Sequence, residues 1–400
     1  MAPPEQRVPR RRAPIILIAL AVVAAVIAVI ALGPQVAAQF GWNASMPTMR
    51  ATVAPAMTRS VSIDFGYITD PKTDWAAIDR RLDQAGVTTV NLNAGRVEFT
   101  AFDWSASPSA AAEAGTDHLA VAARALNTGP HGQQRPVNLI VDAYVPEWIK
   151  SDPSIAGVSA NGRAARYTAS ATQLAEGAVG QRLADYVAAL GQRYDPNRIE
   201  LTELFLDTYS FGADDLQLFR RLTGAADWPR NDDGSIDTSS SEIGLFRSQA
   251  IAKLLTRVRT ALDAVREGAG RDIELAMDVR INWDDLAGGP AISGQAYRTL
   301  MPTRAMLQPW VYLGLANKQP QDVVRFTEAL KSAGLDTTKF VMSVGLWRGP
   351  ANAEPPGRIT PETLEGAVRA AATNGVRDVN VTPYSLMTDD HWTALARAWG

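Results

Sequence analysis

The sequence predicts an α/β protein, a (β/α)8 TIM barrel preceded by one N-terminal transmembrane helix. Two observations carry this. Residues 15–32, IILIALAVVAAVIAVIAL, run without a charged or strongly polar side chain. After residue 60, strand-length apolar runs alternate with amphipathic helical stretches, which is how βαβ units and a parallel sheet look in sequence.

At ~1.5 Å per residue the 18-residue run rises about 27 Å, close to a ~30 Å hydrocarbon core. Arg7, Arg10, Arg11 and Arg12 precede it, against Glu5. Positive flanks stay cytoplasmic, so residues 1–13 read as a basic cytoplasmic segment, 14–32 as a signal-anchor and the remainder as extracytoplasmic. Val36-Ala37-Ala38 resembles a cleavage site, which makes secretion after signal cleavage the competing expectation. Residues 33–60, rich in Ala, Pro, Met and Thr without a sustained period, read as a linker to a barrel over 61–400.

Strands are expected at 61–68, 87–93, 137–144, 199–207, 273–281, 306–313, 340–347 and 378–384. Helices are expected at 74–85, 171–193, 243–267, 320–333, 361–374 and 389–399. In the first, Trp75, Ile78 and Leu82 share a face and Gly86 follows as a stop. Loops 94–116, 145–170 and 208–242 follow strands, on the side where barrels of this kind keep their sites. An open doubly wound sheet is the alternative fold, but no Gly-rich phosphate turn follows any strand.

Composition narrows the function. The first 13 residues carry +3, so the formal −3 of the whole chain leaves −6 on the rest. A mildly acidic body argues against nucleic acid, whose phosphates need a basic face. With no cysteine, disulfides and thiolate chemistry are ruled out. His118, His131 and His391 show no metal-ligand spacing, and no cofactor motif appears. An all-carboxylate Mg or Ca site from Asp142, Glu203 and Asp278 stays open.

Parallel strands covered on both faces should read as near-continuous apolar runs. These strands turn polar toward their carboxyl ends. Asn91, Asn93, Arg96 and Glu98 end strand two, Asp142 and Tyr144 strand three, Glu203 and Asp207 strand four, and Asp278, Arg280 and Asn282 strand five. Trp310 and Tyr312 lie on strand six, Trp347 ends strand seven, and Thr382, Tyr384 and Ser385 end strand eight. Period two places Glu203, Phe205 and Asp207 on one face, and Asp278, Arg280 and Asn282 likewise. Unpaired burial of such groups is costly, so their convergence on one mouth implies either a structural ion network around Arg280 or a working site. Paired carboxylates suit glycoside hydrolysis, one protonating the leaving oxygen and the other attacking or activating water. Glu203 is the expected acid/base and Asp278 the partner. Asn93, Arg96, Asp142, Tyr144, Asp207, Arg280, Asn282, Trp310, Tyr312, Trp347 and Tyr384 are expected to bind sugar, the aromatics by stacking or, alternatively, by ordinary packing.

The runs IELTELFLDTYSFGADDLQLF, TGAADWPRNDDGSID, DVRINWDDL, WVYLGLAN, VMSVGLW and VTPYSLMTDDHW resemble bacterial cell-surface proteins of the glycosyl-hydrolase-like barrel type. The resemblance covers roughly 61–400 and implies a barrel, an extracytoplasmic site and carbohydrate as partner. It supplies no catalytic pair. Retaining barrels that use strands four and seven place a Glu on each, whereas strand seven here, FVMSVGLW, has no carboxylate, and the chitinase-type D-x-x-D-x-D-x-E is absent. Asp278 is therefore chosen from position alone. A barrel that binds glycan or protein without turnover, and a lyase or epimerase using Tyr144 or Tyr384, are the other expectations.

Overall fold

The computed structural model describes residues 49–50, 56–269, 272–349 and 357–400. The basic segment, the expected signal-anchor at 14–32 and most of the linker lie outside these residues. Among the described residues no helix is long and apolar enough to cross a membrane.

Eight parallel strands close on themselves: β1 (Thr58–Ile63), β2 (Thr89–Arg96), β3 (Val137–Asp142), β4 (Arg198–Thr202), β5 (Glu274–Val279), β6 (Met306–Val311), β7 (Val341–Gly345) and β8 (Asp378–Thr382). Each pairs with its sequence neighbour, and β1 pairs with both β2 and β8. The eight expected strands are all present, and closure excludes the open sheet. All but β2, which runs on to Arg96, end earlier than expected at their polar tips. β1 stops at Ile63 and a short helix, Phe65–Thr69, follows; β4 stops at Thr202.

The helices are α1 (Trp75–Gln84), α2 (His118–Leu126), α3 (Ala178–Tyr194), α4 (Ser241–Ala269), α5 (Tyr297–Leu300), α6 (Pro320–Ser332), α7 (Pro361–Ala371) and α8 (Asp389–Trp399). Asp74 caps α1 by accepting from the Ala77 N–H at 2.9 Å, and Asp117 caps α2 through Ala120 N–H at 2.8 Å. The expected helix 171–193 is two pieces, Ala171–Ala175 and α3. The chain turns at Gly177, where an added Cβ would lie 2.4 Å from Gln173 Oε1. The alanine-rich α2 and the single-turn α5 were not expected. The long loops carry structure too: a short helix at Pro146–Ser151, a hairpin pairing Ala156–Val158 with Ala164–Ala169, and a helix at Ala213–Thr223.

Register fixes which side chains face inward. Ser60 pairs with Asn380 and Thr89, Asn91 with Asn138, Ile140 with Glu200, Ala276 with Met306, and Ser343 with Trp310. Alternate positions from these, such as Val61, Leu92, Val141, Leu201, Met277, Val344 and Val381, are fully buried under the helices. That outer shell holds the barrel by apolar burial, at roughly 25 cal/mol per Å². The interior is different: where such barrels are usually filled by branched apolar layers, this one is largely polar.

Candidate active site

The polar interior is built from the bottom up. At the amino-terminal end of the strands, Arg198 Nη2 lies 2.9 Å from Glu274 and 2.5 Å from Asp378. One layer higher, Asn380 Oδ1 accepts from Ser60, Ser62 and Asn91, each at 3.1 Å, and Asn138 donates to Asn91 at 2.9 Å. Buried amides and hydroxyls are tolerated because they satisfy one another. This layer floors a cavity of about 480 Å³ that opens at the carboxyl ends of the strands.

Five carboxyl groups line that cavity: Asp64, Asp142, Glu200, Glu203 and Asp278. Glu203 does not belong to β4. Counted as strand it would face the helices beside Leu201, but its backbone adopts a left-handed φ of 62° directly after Thr202 and turns the side chain into the mouth. Such a conformation is uncommon for a side chain of this kind and is held by its surroundings. Tyr144 Oη donates to Glu203 Oε2 at 2.8 Å. Burial raises the Glu203 pKa above the ordinary carboxyl range, and the Tyr144 hydroxyl pulls against that rise. Burial likewise raises Asp142, which accepts from the Tyr144 N–H at 2.8 Å.

Asp278 sits deeper, only 6% exposed. Thr202 Oγ1 donates to its Oδ2 at 2.6 Å and Gln308 Nε2 to its Oδ1 at 3.0 Å. Gln308 also donates to Glu200 at 2.5 Å. Arg280 pairs with Asp207 and lies 4.0 Å above the Phe205 ring. The expected alternative, Arg280 clamped between Asp278 and Glu203, is therefore not the ion pair formed.

Aromatic rings wall one side. Trp310 and Tyr312 stack at 5.1 Å with 4° between planes, and Trp347 tilts against Tyr312 at 5.0 Å. Gly345 makes this possible: at its inward position on β7, a Cβ would come 2.2 Å from the Tyr312 ring. Phe205 meets Trp310 edge-on at 6.2 Å.

Of the expected residues, Asn93, Asp142, Glu203, Asp278, Arg280, Trp310, Tyr312 and Trp347 line the cavity. Tyr144 reaches it through Glu203. Four expectations need correction. Asn282 closes a turn by accepting from Asp284 N–H, away from the cavity. Asp207 is held off by Arg280. Arg96 follows an irregularity in the β2 register and faces Glu98 at 3.4 Å. Tyr384, 8% exposed, packs against Tyr67 and Trp392 at 5.0 and 5.7 Å, the packing alternative. Asp64, Glu200, Gln308 and Asn380 were missed. None of the three histidines lines the cavity, and among the described residues no group of three or more His, Asp or Glu side chains is arranged to hold a metal ion.

No protein-family model and no curated protein matches the chain. Solved structures do. The glycoside hydrolase domain of PgaB (BpsB) from Bordetella bronchiseptica superposes with a TM-score of 0.62 at 12% identity, over 86% of this chain and 97% of that one. Alpha-L-fucosidase isoenzyme 2 from Paenibacillus thiaminolyticus gives 0.58 at 14% identity, over 86% of this chain and 49% of that one. The catalytic domain of beta-amylase from Paenibacillus polymyxa gives 0.57 at 11%, over 87% and 98%. At such identities the likeness is one of fold: the described chain is a (β/α)8 barrel that superposes on barrels of glycoside hydrolases.

Proposed function

We propose that the chain is a membrane-anchored, extracytoplasmic glycoside hydrolase that cleaves an envelope or extracellular polysaccharide. The observation that carries this is the meeting of Glu203 and Asp278 in one open cavity beside the Trp310–Tyr312–Trp347 wall. Glu203, whose pKa burial raises, is the general acid; Asp278, bonded by Thr202 and Gln308, is the partner that attacks or activates water. The rings offer flat apolar faces to sugar C–H groups. Fold likeness to glycoside hydrolases supports carbohydrate as the substrate class. The apolar run at 15–32 behind four arginines supports the anchor.

The test is a glycan panel incubated with the protein and with Glu203→Gln. Loss of general acid catalysis costs on the order of 10²–10⁴ in rate, and a variant as fast as the parent would remove Glu203 from the chemistry. The second reading, a barrel that binds glycan without turnover, has the enclosed Asp278–Gln308–Glu200 arrangement on its side. Retention of a glycan with no new reducing ends from the parent protein would select it.

A further inference from the structure

Glu200 is inward on β4 and only 3% exposed, yet the pairing of Glu203 with Asp278 gives it no task. Among the described residues no cation pairs with it: Arg198, one layer below on the same strand, is committed to Glu274 and Asp378. Instead Gln308 Nε2 spans the Glu200 and Asp278 carboxyl groups, 2.5 Å from Glu200 Oε1 and 3.0 Å from Asp278 Oδ1, and so holds the two side by side on neighbouring strands. Two carboxylates side by side away from water cannot both be ionised, so one proton stays between them. The remaining bonds decide where the charge sits. Among the described residues Asp278 receives Thr202 Oγ1 at 2.6 Å in addition to Gln308, while Glu200 receives Gln308 alone.

We infer that Glu200 holds the proton of a two-carboxyl, one-charge pair and is thereby the positioning residue that keeps Asp278 ionised and aimed at the cavity. The inference rests on the reading of Asp278 as the partner carboxylate. The other titratable or charged groups facing the pair are Glu203 at the mouth, Tyr312 beyond β6 and Arg198 below. Gln308 is the connecting element, and Thr202 fixes the far oxygen.

The experiment is a carboxyl ¹³C NMR titration of the full chain, labelled in Asp and Glu side chains, for the parent and for Glu200→Gln. In the parent the pair should titrate in two separated steps that belong to both groups. Glu200→Gln should abolish the upper step and move Asp278 to a single, lower transition. Glu200→Ala, which leaves no bonded group, should lower kcat on the order of 10²-fold with little change in KM, and Gln should restore most of that loss. Independent titration of the two groups in the parent, or an Asp278 transition unmoved in Glu200→Gln, would overturn the inference. The titration needs no sugar: a protein that hydrolyses nothing but shows the two-step pair loses the glycosidase reading and keeps the shared proton.

Discussion

Asp215 gives a sharp test of the electrostatics outside the cavity. It lies in the first turn of the Ala213–Thr223 helix, fully buried. Its Oδ1 accepts from Thr172 N–H at 2.8 Å and Thr172 Oγ1 at 3.0 Å, while Oδ2 is buried with no bonded partner among the described residues. Burial first, and the neighbouring Asp214 carboxylate second, push its pKa up to about 7. The folded protein therefore holds this proton up to about pH 7, whereas the unfolded chain releases it near pH 4. Between those values the native state binds more protons, so this group makes stability fall as pH rises. At ~1.4 kcal/mol per unit the total is roughly 4 kcal/mol, present below pH 4 and lost by pH 7. Asp215→Asn keeps the Oδ1 acceptor and removes the titration. Relative to the parent, the variant should be near neutral at pH 4.5 and gain ~3–4 kcal/mol by pH 8. At ~2.1 cal/mol/K per residue over about 350 residues, Pro47 to Gly400, that is a swing of roughly 5 °C in Tm. Urea unfolding of both proteins from pH 4.5 to 8 measures it. A stability difference that stays flat across that range would refute the reasoning.

Two further outcomes follow from named bonds. Tyr144→Phe removes the hydroxyl that opposes the rise of the Glu203 pKa. With Glu203 as the proposed general acid, the basic limb of the kcat/KM profile, where it loses its proton, should then move to higher pH, and an unmoved limb would separate Tyr144 from that acid. Arg198→Met leaves Glu274 and Asp378 facing each other without their cation. Glu274 is half-exposed and loses little, so the cost falls on the buried Asp378 carboxylate. Stranding that one charge costs up to ~3 kcal/mol, or roughly 4 °C in a barrel of this size, read by calorimetry; a loss under ~1 °C would show that water already solvates Asp378 as well.

The barrel was legible because its outer shell obeys simple rules. Apolar strand runs and amphipathic helices repeat at barrel spacing, and all eight strands are present. Boundaries failed at the cavity mouth: the expected strand tips at 64–68 and 203–207 have left the sheet and Asp64 and Glu203 line the cavity. Helix α2, nine residues with six of them buried, was passed over. The short α5 is a single turn, below the length that periodicity can detect.

Strand four shows how a cavity-lining residue was reached by the wrong step. Period two counted back from Glu203 places Leu201 inward and Glu200 outward. The pairing of Ile140 with Glu200 places them the other way, and Ile199 and Leu201 are the helix-facing positions. The alternation Ile199-Glu200-Leu201-Thr202 carried that information, since apolar side chains belong under the helices. Read so, it identifies Glu200 and Thr202 as interior and leaves Glu203 facing out. Only a backbone reversal, the φ of 62° at Glu203, returns that carboxylate to the cavity. No periodicity announces such a turn in a non-glycine residue. It costs backbone energy and nothing in local propensity favours it. The Tyr144 hydroxyl that receives the side chain is the visible compensation. Strain at the end of a core strand, spent to set one acid over a floor of mutually bonded polar groups, is what separates this barrel interior from a packed apolar one.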